Sequence, residues 1–376
     1  MIDAKWLRNA TSQAVMSMLT EAGHEAWFVG GCVRNALLGE PVSDLDISTN
    51  ARPEVVIALA EAAGLKAVPT GIEHGTITVV SGGQPFEITT FRRDVETDGR
   101  RAVVAFADTL EEDAQRRDFT MNALYANAAG EVSDPVGGLP DLHARHFRFI
   151  GDAKARIRED YLRILRFFRF FAWYGSDLDT DGLSACAALA DGIETLSAER
   201  VTSEMLKLLS APDPLRAVGA MEQTGILAQV LPGATGRMLG PFILLDFTNS
   251  DDPIARLAAL GGDAGTLRLS KADSRALDTY RNACEAPLSA AEFGYRLGQE
   301  TGLKALALSA ATLERPLTPE EVEAAATGAA AVFPVKAADL PAMLQGREIG
   351  AALKRLEAAW IAAGFAPTKA ELLAKL

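Results

Sequence analysis

The chain has 376 residues, of which 48% are apolar and 23% are charged. This length exceeds one compact domain and predicts about two to four modules with enough apolar residues for buried cores. The net charge of −13 at pH 7, taken alone, argues against a nucleic-acid partner, because phosphate binding needs a basic surface.

The cysteines and the lengths of the apolar runs indicate the cellular compartment of the protein. Cys32, Cys186 and Cys284 lie far apart, so the sequence offers neither a disulfide framework nor a cysteine-based zinc site. Residues 1–20 contain no charged start followed by an apolar segment, and no uninterrupted apolar run reaches membrane-spanning length. We therefore expect a cytoplasmic protein without a membrane partner.

The first chemical feature in chain order is a glycine pair between two predicted elements. Thr11 predicts the cap of a first helix that ends at Gly23, and residues 27–29 then have the apolar character of a strand. Residues 32–38 have helical spacing, so Gly30 and Gly31 lie at a strand-to-helix turn where free N–H groups can bind phosphate oxygens. Arg34, one turn further, can add a positive charge. The chain contains neither a Walker motif nor the glycine pattern of dinucleotide-binding folds.

Two carboxylates follow this turn in Asp44-Leu45-Asp46. On a strand, residues two apart point to the same face, so Asp44 and Asp46 would repel each other unless a divalent cation neutralised them. An isolated motif of this kind is more often a solvated loop. The preceding phosphate-binding turn favours a metal site formed by Asp44 and Asp46.

A third acid is predicted on the second strand of a hairpin. Pro53 begins a helix that runs toward Gly64, and residues 76–80 and 86–91 then predict two strands around Gly82-Gly83. Glu87 could join the two aspartates, although a solvent-facing glutamate fits the pattern equally well. Three acids on adjacent strands would hold two Mg²⁺ ions, one to activate an attacking hydroxyl and one to bind the triphosphate and leaving group.

The segment from Asp113 to Leu124 combines arginines with short polar residues. It could be an ordinary amphipathic helix. However, we expect that the adjacent Arg116 and Arg117 cannot both face the same acid. Guanidinium groups suit triphosphate contacts, and Asp118 and Asn122 suit contacts to ribose hydroxyls.

An acid and an arginine three residues apart follow in Glu159-Asp160-Tyr161-Leu162-Arg163. On a helix, Asp160 and Arg163 would be neighbours, and a surface ion pair is the simplest interpretation. A carboxylate and a guanidinium could also accept from the exocyclic amine and donate to the ring nitrogen of cytosine or adenine. Uracil and guanine present the reverse pattern, so the pair would select C and A without a nucleic-acid template.

Residues 145–169 form a local basic region in this acidic chain. They contain eight Lys or Arg, including Arg166, against three acids. Beyond about residue 150 strand signals fade, and helical patterns rich in Ala and Leu extend to Leu376. The sequence therefore predicts an α+β fold, in which a front region carries the chemistry and a helical remainder binds something large.

These motifs, taken together and in this order, resemble the class II tRNA nucleotidyltransferases, or CCA-adding enzymes, and the related bacterial poly(A) polymerases. The resemblance covers residues 28–204 through Val29 to Arg34 with Leu37-Leu38-Gly39, Asp44 to Thr49, Glu87 to Arg92, Arg116 to Leu124, Asp134 to Gly138, Glu159 to Arg163, and Glu199-Arg200-Val201 with Glu204. Weaker similarity extends through Leu267 to Ser270 and Gly346 to Gly350.

The resemblance implies a polymerase-β-like head followed by an all-helical neck, body and tail that hold the tRNA acceptor arm. We place these at residues 1–147, 148–210, 211–290 and 291–376. It implies Mg²⁺ as cofactor, CTP and ATP as substrates, tRNA as partner and no DNA partner. The implied site comprises metal ligands Asp44 and Asp46, catalytic residues Asp44, Asp46 and Glu87, and nucleotide contacts Gly30, Gly31, Arg34, Arg117, Asp118, Asn122, Asp160, Arg163 and Arg166.

Within this group the reaction is left open. Asp98-Gly99-Arg100 resembles a loop that full CCA-adding enzymes have and CC-adding enzymes lack, which favours complete CCA addition. A poly(A) polymerase and an enzyme that adds only A remain alternatives, although no long basic C-terminal extension is present. His143 and His146 form an H-x-x-H pair without an accompanying acid or cysteine cluster, so a metal role is not expected. A non-enzymatic RNA-binding protein would be expected to lack Asp44 or Asp46, and both are present.

Overall fold

The computed structural model describes residues 1–94, 104–248, 250–286, 288–341 and 343–376. The chain divides into two compact units. The first comprises residues 1–204 and 223–229, and the second comprises residues 205–222 and 230–376. A mixed sheet lies in the first unit and the second is built mainly from helices, so the predicted α+β class is confirmed. The finer division into head, neck, body and tail stays a prediction.

The first unit is organised around a seven-stranded sheet in the order β3-β4-β5-β2-β1-β8-β9. The strands of this region are β1 (Ala26–Val29), β2 (Asp46–Thr49), β3 (Lys66–Gly71), β4 (Thr76–Ser81), β5 (Gln84–Thr90), β6 (Arg92–Asp94), β7 (Val104–Phe106), β8 (Tyr125–Ala126) and β9 (Val132–Ser133). Strand β2 runs parallel to β5, the other neighbours in the sheet are antiparallel, and β6 and β7 form a separate ribbon.

Helices cover this sheet and continue the first unit. They are α1 (Lys5–Arg8), α2 (Ala10–Thr20), α3 (Gly31–Leu38), α4 (Pro53–Ala62), α5 (Leu110–Gln115), α6 (Leu139–Ala144), α7 (Ala153–Glu159), α8 (Leu162–Tyr174), α9 (Thr180–Ala188) and α10 (Ala198–Leu209). A short parallel pair, β10 (His146–Phe147) with β11 (Asp177–Leu178), lies among the later helices. Helix α10 runs through the boundary between the two units.

Most local predictions for the front region are confirmed. The strand before the glycine pair, the helix after it, the helix that begins at Pro53 and the hairpin around Gly82-Gly83 are all present. The predicted cap at Thr11 is wrong, because Thr11 lies inside α2. Helical hydrogen bonding already begins at Asn9, whose carbonyl oxygen accepts from the Gln13 backbone N–H at 3.0 Å.

The second unit consists mainly of helices that approach one another closely. They are α11 (Leu215–Gln223), α13 (Leu239–Leu245), α14 (Pro253–Leu260), α15 (Lys271–Glu285), α16 (Ala290–Leu297), α17 (Gln299–Thr312), α18 (Pro319–Ala330), α19 (Arg347–Ala362) and α20 (Lys369–Leu373), whereas the intervening α12 (Ile226–Val230) belongs to the first unit except for its last residue. Gly294 and Gly328 let α16 and α18 pack backbone to backbone, since a Cβ at Gly294 would stand 1.8 Å from the Ala325 carbonyl oxygen. Within the described ranges, none of the helices is both long and apolar enough to cross a membrane.

An aromatic cluster joins the segment after α5 to helix α8. Phe119 is fully buried, and its ring centroid lies 4.7–6.3 Å from the centroids of four other phenylalanine rings, those of Phe147, Phe149, Phe167 and Phe170. Offset and edge-to-face aromatic pairs of this kind stabilise a core beyond the burial of their area. The cluster therefore anchors the polar residues 116–122 to the helices that follow.

Replacing Phe119 by alanine should destabilise the first unit by about 3–5 kcal/mol, because it removes a large ring from a filled core. Urea unfolding followed by tryptophan fluorescence would measure this, since Trp6, Trp27 and Trp173 all lie in the first unit. Ile72→Ala is the control, because Ile72 is 42% exposed and should cost less than about 1 kcal/mol. An unchanged urea midpoint for Phe119→Ala would contradict the assignment.

Candidate active site

A glycine turn connects β1 to α3. Gly30 has φ +69° and ψ −120°, a backbone conformation that side chains rarely adopt, and its carbonyl oxygen accepts from the Arg34 backbone N–H at 2.9 Å. A Cβ at Gly30 would stand 3.8 Å from Nη1 of Arg117, whereas a Cβ at Gly31 would meet nothing within 4 Å. The start of α3 is therefore open above Gly31 and bordered by a guanidinium at Gly30.

The two aspartates lie at the beginning of β2. Asp46 is the first residue of the strand and is the register partner of Glu87 in β5. Asp44 is exposed and precedes the strand, so the prediction that both aspartates lie on it is wrong for Asp44, since regular pairing with β5 begins only at Asp46. Leu45 and Ile47, which alternate with the two acids, are buried in the core. Asp44 and Asp46 therefore lie on the other, more open side of this segment.

The carboxyl of Asp46 is held in an unfavourable electrostatic position. Burial raises its pKa from an ordinary value of 3.8 to about 6, and the neighbouring charges of Glu87 and Asp44 act in the same direction. The positive charge of Arg117 partly offsets this rise. This edge of the sheet thus concentrates negative charge that a cation would neutralise.

Acidic and basic side chains face a common cleft of about 250 Å³. Asp46 and Glu87 line it together with three arginines, Arg92, Arg116 and Arg117. Within the described residues, no three His, Cys, Asp or Glu side chains converge as a metal-binding group. A metal ion held by Asp44 and Asp46 would therefore need further oxygen ligands from a substrate. The catalytic role of Glu87 stays a prediction.

Two of these arginines, Arg116 and Arg117, bind one buried carboxylate. Arg116 donates from Nε to Oδ1 of Asp113 at 2.9 Å, and Arg117 donates from Nη2 to Oδ2 at 2.9 Å. The expectation that adjacent arginines cannot face the same acid is therefore wrong. Asp113 is at positions i−3 and i−4 relative to them, and its two oxygens separate the two guanidiniums.

Asp113 is ionised despite its complete burial. Burial alone would raise its pKa, but the charges and hydrogen bonds of Arg117 and Arg116 outweigh that effect and hold the pKa far below its usual range. The same carboxylate accepts from the Tyr125 hydroxyl at 2.9 Å. Arg117 in turn donates from Nη2 to the Ser48 hydroxyl at 3.1 Å, two residues after Asp46.

Four of the predicted nucleotide contacts form one polar network. Arg34 donates to the Asn122 side-chain oxygen at 2.5 Å, Asn122 donates from Nδ2 to Asp118 at 3.0 Å, and Arg166 donates to Asp118 at 2.7 Å. Burial would raise the pKa of Asp118, but Arg166 and Asn122 lower it to about 2.

Arg34 is more enclosed than the sequence suggested. Only 5% of the residue is exposed, and its guanidinium carbon lies 4.3 Å from the centroid of the Tyr174 ring. Burial lowers its pKa, which the nearby Tyr174 side chain partly opposes. The predicted positive charge one turn after the glycines is therefore enclosed, because Asn122 and the aromatic rings of α8 surround this group. A contact of Arg34 with the nucleotide stays a prediction.

Asp160 and Arg163 do not form the helical pair that their spacing predicted. Asp160 has an extended backbone between α7 and α8, where Oδ1 accepts from the Leu162 backbone N–H at 3.1 Å and Oδ2 accepts from Arg200 at 2.6 Å. Arg163 lies in α8 and binds the Glu159 carboxylate and the backbone carbonyl oxygens of Arg156 and Arg116. The break after Glu159 gives the two side chains different partners.

Comparisons with known protein families match two stretches of the chain. Residues 26–148 match the model described as the poly A polymerase head domain. Residues 177–237 match the model described as "Probable RNA and SrmB-binding site of polymerase A". A CCA-adding enzyme of Geobacillus thermodenitrificans is 42% identical over 221 residues, which are 58% of this chain and 54% of that protein. Over residues 26–148 and 177–237, the chain is similar to poly A polymerases and CCA-adding enzymes.

Solved structures of CCA-adding enzymes are similar in fold to most of the chain. The Bacillus stearothermophilus CCA-adding enzyme in complex with CTP has a TM-score of 0.72 and 29% identity, covering 94% of this chain and 92% of that one. The Thermotoga maritima CCA-adding enzyme complexed with tRNA has a TM-score of 0.70 and 19% identity, covering 96% and 92%, and shows the fold alone. The sequence alignment to the Geobacillus relative spans about half of that relative's length.

Sequence reasoning missed the contacts that hold Arg117 and Asp160 in place. Asp113, Ser48 and Tyr125 surround Arg117, and Arg200 binds Asp160. Asp113 had a signal in its spacing, since an acid three and four residues before two arginines has the spacing of helical ion pairs. Ser48 and Arg200 lie in motifs that carry the resemblance, but no pattern indicated which residues they bind. Both come from distant parts of the chain.

The predicted loop motif and the histidine pair are the remaining sequence features. Asp98-Gly99-Arg100, which favoured complete CCA addition, lies outside the described residues. His146 lies with Nε2 3.2 Å from a carboxylate oxygen of Asp179, the residue that caps α9.

The raised pKa of Asp46 predicts how stability depends on pH in metal-free protein. Because the folded chain disfavours the Asp46 carboxylate, this group lowers stability as pH rises from 3.8 to about 6, and the loss is complete above that range. Asp46→Asn should therefore raise the melting temperature relative to wild type at pH 7.5 in a chelator, and the difference should disappear near pH 4.

Differential scanning calorimetry at the two pH values would measure this difference. Asp108→Asn is the matched control, because Asp108 is 85% exposed in an ion pair with Arg52 and should show no comparable gain. A melting temperature for Asp46→Asn below that of wild type at pH 7.5 would show that Asp46 is not under electrostatic strain.

Proposed function

We propose that this chain is a CCA-adding tRNA nucleotidyltransferase that adds C, C and A from CTP and ATP to the 3′ end of tRNA. The observation that carries the proposal is one cleft in which Asp46 and Glu87 face Arg116 and Arg117 beside the Gly30 turn. A nucleoside triphosphate would use both the basic and the acidic side of this cleft. Its phosphates are bound by cationic side chains and backbone N–H groups, and the acids can hold a divalent cation next to the reacting oxygens. A tRNA substrate would place the protein in the cytoplasm.

The reaction is attack of the tRNA 3′-hydroxyl oxygen on the α-phosphorus of the nucleotide. A new P–O bond forms, the bond to the β-phosphate oxygen breaks, and pyrophosphate leaves with the released electron pair. Arg116 and Arg117 would balance the charge that builds on the phosphate oxygens, and the start of α3 would bind part of the triphosphate. The ribose of the nucleotide would lie against Asp118, Asn122 and Arg166.

The donor set fits a divalent cation such as Mg²⁺. Asp44, two residues before the start of β2, and Asp46, its first residue, would supply carboxylate oxygens. Mg²⁺ commonly binds one or two carboxylates together with substrate phosphates. The raised pKa of Asp46 is what an acidic edge shows before a cation neutralises it. When bound, Mg²⁺ would supply Lewis-acid stabilisation of the phosphate charge and increase the acidity of the attacking hydroxyl.

Extension assays with Mg²⁺ test the activity directly. Transcripts ending before CCA, after C and after CC would be offered CTP and ATP together or singly. We expect ordered addition of C, C and A that then stops. Addition of A only to the CC-ended tRNA would mark an A-adding enzyme. Long adenosine tails on unrelated RNA would mark a poly(A) polymerase, the activity named in the description of the matched head-domain model.

Asp46→Asn should lower the extension rate by about a hundredfold or more, because it removes a charge needed only where the phosphate reacts. Asp108→Asn should retain the wild-type rate. A wild-type chain that binds tRNA but does not extend it with CTP or ATP would instead support a non-enzymatic RNA-binding protein.

Base choice is assigned to Asp160 and Arg163, with a constraint set by their present partners. A cytosine or adenine amine would have to replace Arg200 on Oδ2 of Asp160, since Oδ1 accepts from the Leu162 backbone N–H. Arg163 would have to share donors now directed at Glu159 and two carbonyl oxygens. Selection would therefore involve an exchange of hydrogen bonds rather than contact with two free side chains.

Asp160→Ala should reduce the preference for CTP and ATP over UTP and GTP by about tenfold, because the acceptor for the exocyclic amine is lost. Single-nucleotide incorporation with each triphosphate measures this preference. Asp152→Ala is the matched control, since Asp152 also accepts a backbone N–H at a helix start, in its case α7. Unchanged preference in Asp160→Ala would remove the base-selecting role.

A further inference from the structure

One carboxylate connects the acidic and basic sides of the candidate cleft. Asp113 in α5 is fully buried, and its Oδ1 accepts from Arg116 Nε at 2.9 Å, from Arg116 Nη2 at 2.6 Å and from the Arg92 backbone N–H at 3.3 Å. Its Oδ2 accepts from Arg117 Nη2 and from the Tyr125 hydroxyl, both at 2.9 Å, and from the Ser48 hydroxyl at 3.4 Å. Each oxygen is thus assigned to one arginine.

These contacts determine where Arg117 lies. Its Nη2 also donates to Ser48 in β2, the strand that begins with Asp46, and its Nη1 lies 3.8 Å from the position that a Cβ at Gly30 would occupy. Arg117 therefore extends from the strand that carries the acids to the glycine turn. Its side chain is enclosed by fixed hydrogen bonds rather than free to follow a ligand.

The charge of Asp113 makes this arrangement possible. Two adjacent guanidiniums in a poorly solvated cleft repel each other, and a buried carboxylate between them reduces their combined charge from about +2 to about +1. Donors that are held before a ligand arrives need no reorganisation when phosphate charge develops. Neither oxygen of Asp113 faces the cleft without a donor, so the group is not placed to act as a base or a metal ligand.

We propose that Asp113 is a positioning residue that holds Arg116 and Arg117 as a paired receptor for the β- and γ-phosphates of the incoming nucleotide. This role rests on the proposed function, because it presumes that the cleft binds a nucleoside triphosphate. It means that phosphate recognition requires Asp113 in addition to the two arginines. Loss of Asp113 should change the recognition of phosphate number, not only the stability of the fold.

The test compares the binding of CTP, CDP and CMP to wild type and to Asp113→Asn by isothermal titration calorimetry. The amide keeps the shape of the side chain but offers one acceptor oxygen, and it turns an N–H toward the second guanidinium. We expect CTP to bind about tenfold or more weakly, while CMP changes by less than about twofold. In extension assays the KM for CTP should rise more than kcat falls.

Asp252→Asn is a matched control from the second unit. Asp252 accepts from a cation and a tyrosine hydroxyl in the same way as Asp113, through Lys304 at 3.1 Å and Tyr280 at 3.0 Å, but it shares no residue with the cleft. This variant should lose thermal stability with an unchanged ratio of CTP to CMP affinity. Equal weakening of all three nucleotides in Asp113→Asn would reduce Asp113 to a structural role and overturn the proposal.

A milder variant keeps the test decisive if Asp113→Asn does not fold. Tyr125→Phe removes one hydroxyl that donates to Asp113 and accepts from Arg117 Nε at 2.9 Å, while the buried ring remains. It should lower the ratio of CTP to CMP affinity by about two- to threefold. An unchanged ratio would overturn the positioning role, whereas wild-type protein that binds no CTP would overturn the proposed function itself.

Discussion

The parallel pairing of β2 with β5 is the constraint on which the candidate site depends. It places Asp46 beside Glu87, two acids that repel each other at a partly buried sheet edge. Such a pair costs stability in the absence of a cation, and proteins retain it mainly where the charge serves a ligand. The antiparallel strands on either side of the pair hold the two acids at that spacing.

The opposite side of the cleft is organised by buried acids rather than by the arginines themselves. Asp113 divides its oxygens between Arg116 and Arg117, and Asp118 holds Arg166 and Asn122. In each case the acid remains ionised because guanidinium charge outweighs the cost of burial. Flexible cationic side chains thereby become fixed donors, which is what binding of a polyphosphate requires.

A similar arrangement governs the residues assigned to base choice. Arg200 binds Asp160 and Glu159 binds Arg163, so each member of the proposed pair has a partner of opposite charge before any base is present. These partners keep the side chains oriented, and exchange with a base would cost less than ordering free side chains. Selection between bases then depends on which base replaces the existing hydrogen bonds best.

The sequence alone determined the features that depend on local physics. Glycine at a strand-to-helix turn, the alternation in the hairpin, the helix that begins at Pro53 and the α+β order of the elements are all encoded within short segments. The positions of Asp46, Glu87 and Arg117 on these elements could therefore be predicted as one site. The helical spacing of Asp113 to Arg116 and Arg117 is also present in the sequence. It does not show that each arginine binds a different oxygen of this carboxylate.

Only the tertiary structure decided which partner each charged group has. Ser48, Tyr125 and Arg92 reach Asp113 from three different strands, and Arg200 reaches Asp160 from forty residues away. A two-residue break between α7 and α8 separated Asp160 from Arg163, although their spacing predicted a helical pair. Sequence spacing fixes which side chains share an element, but ion pairs form between elements, and burial decides which of them are strong.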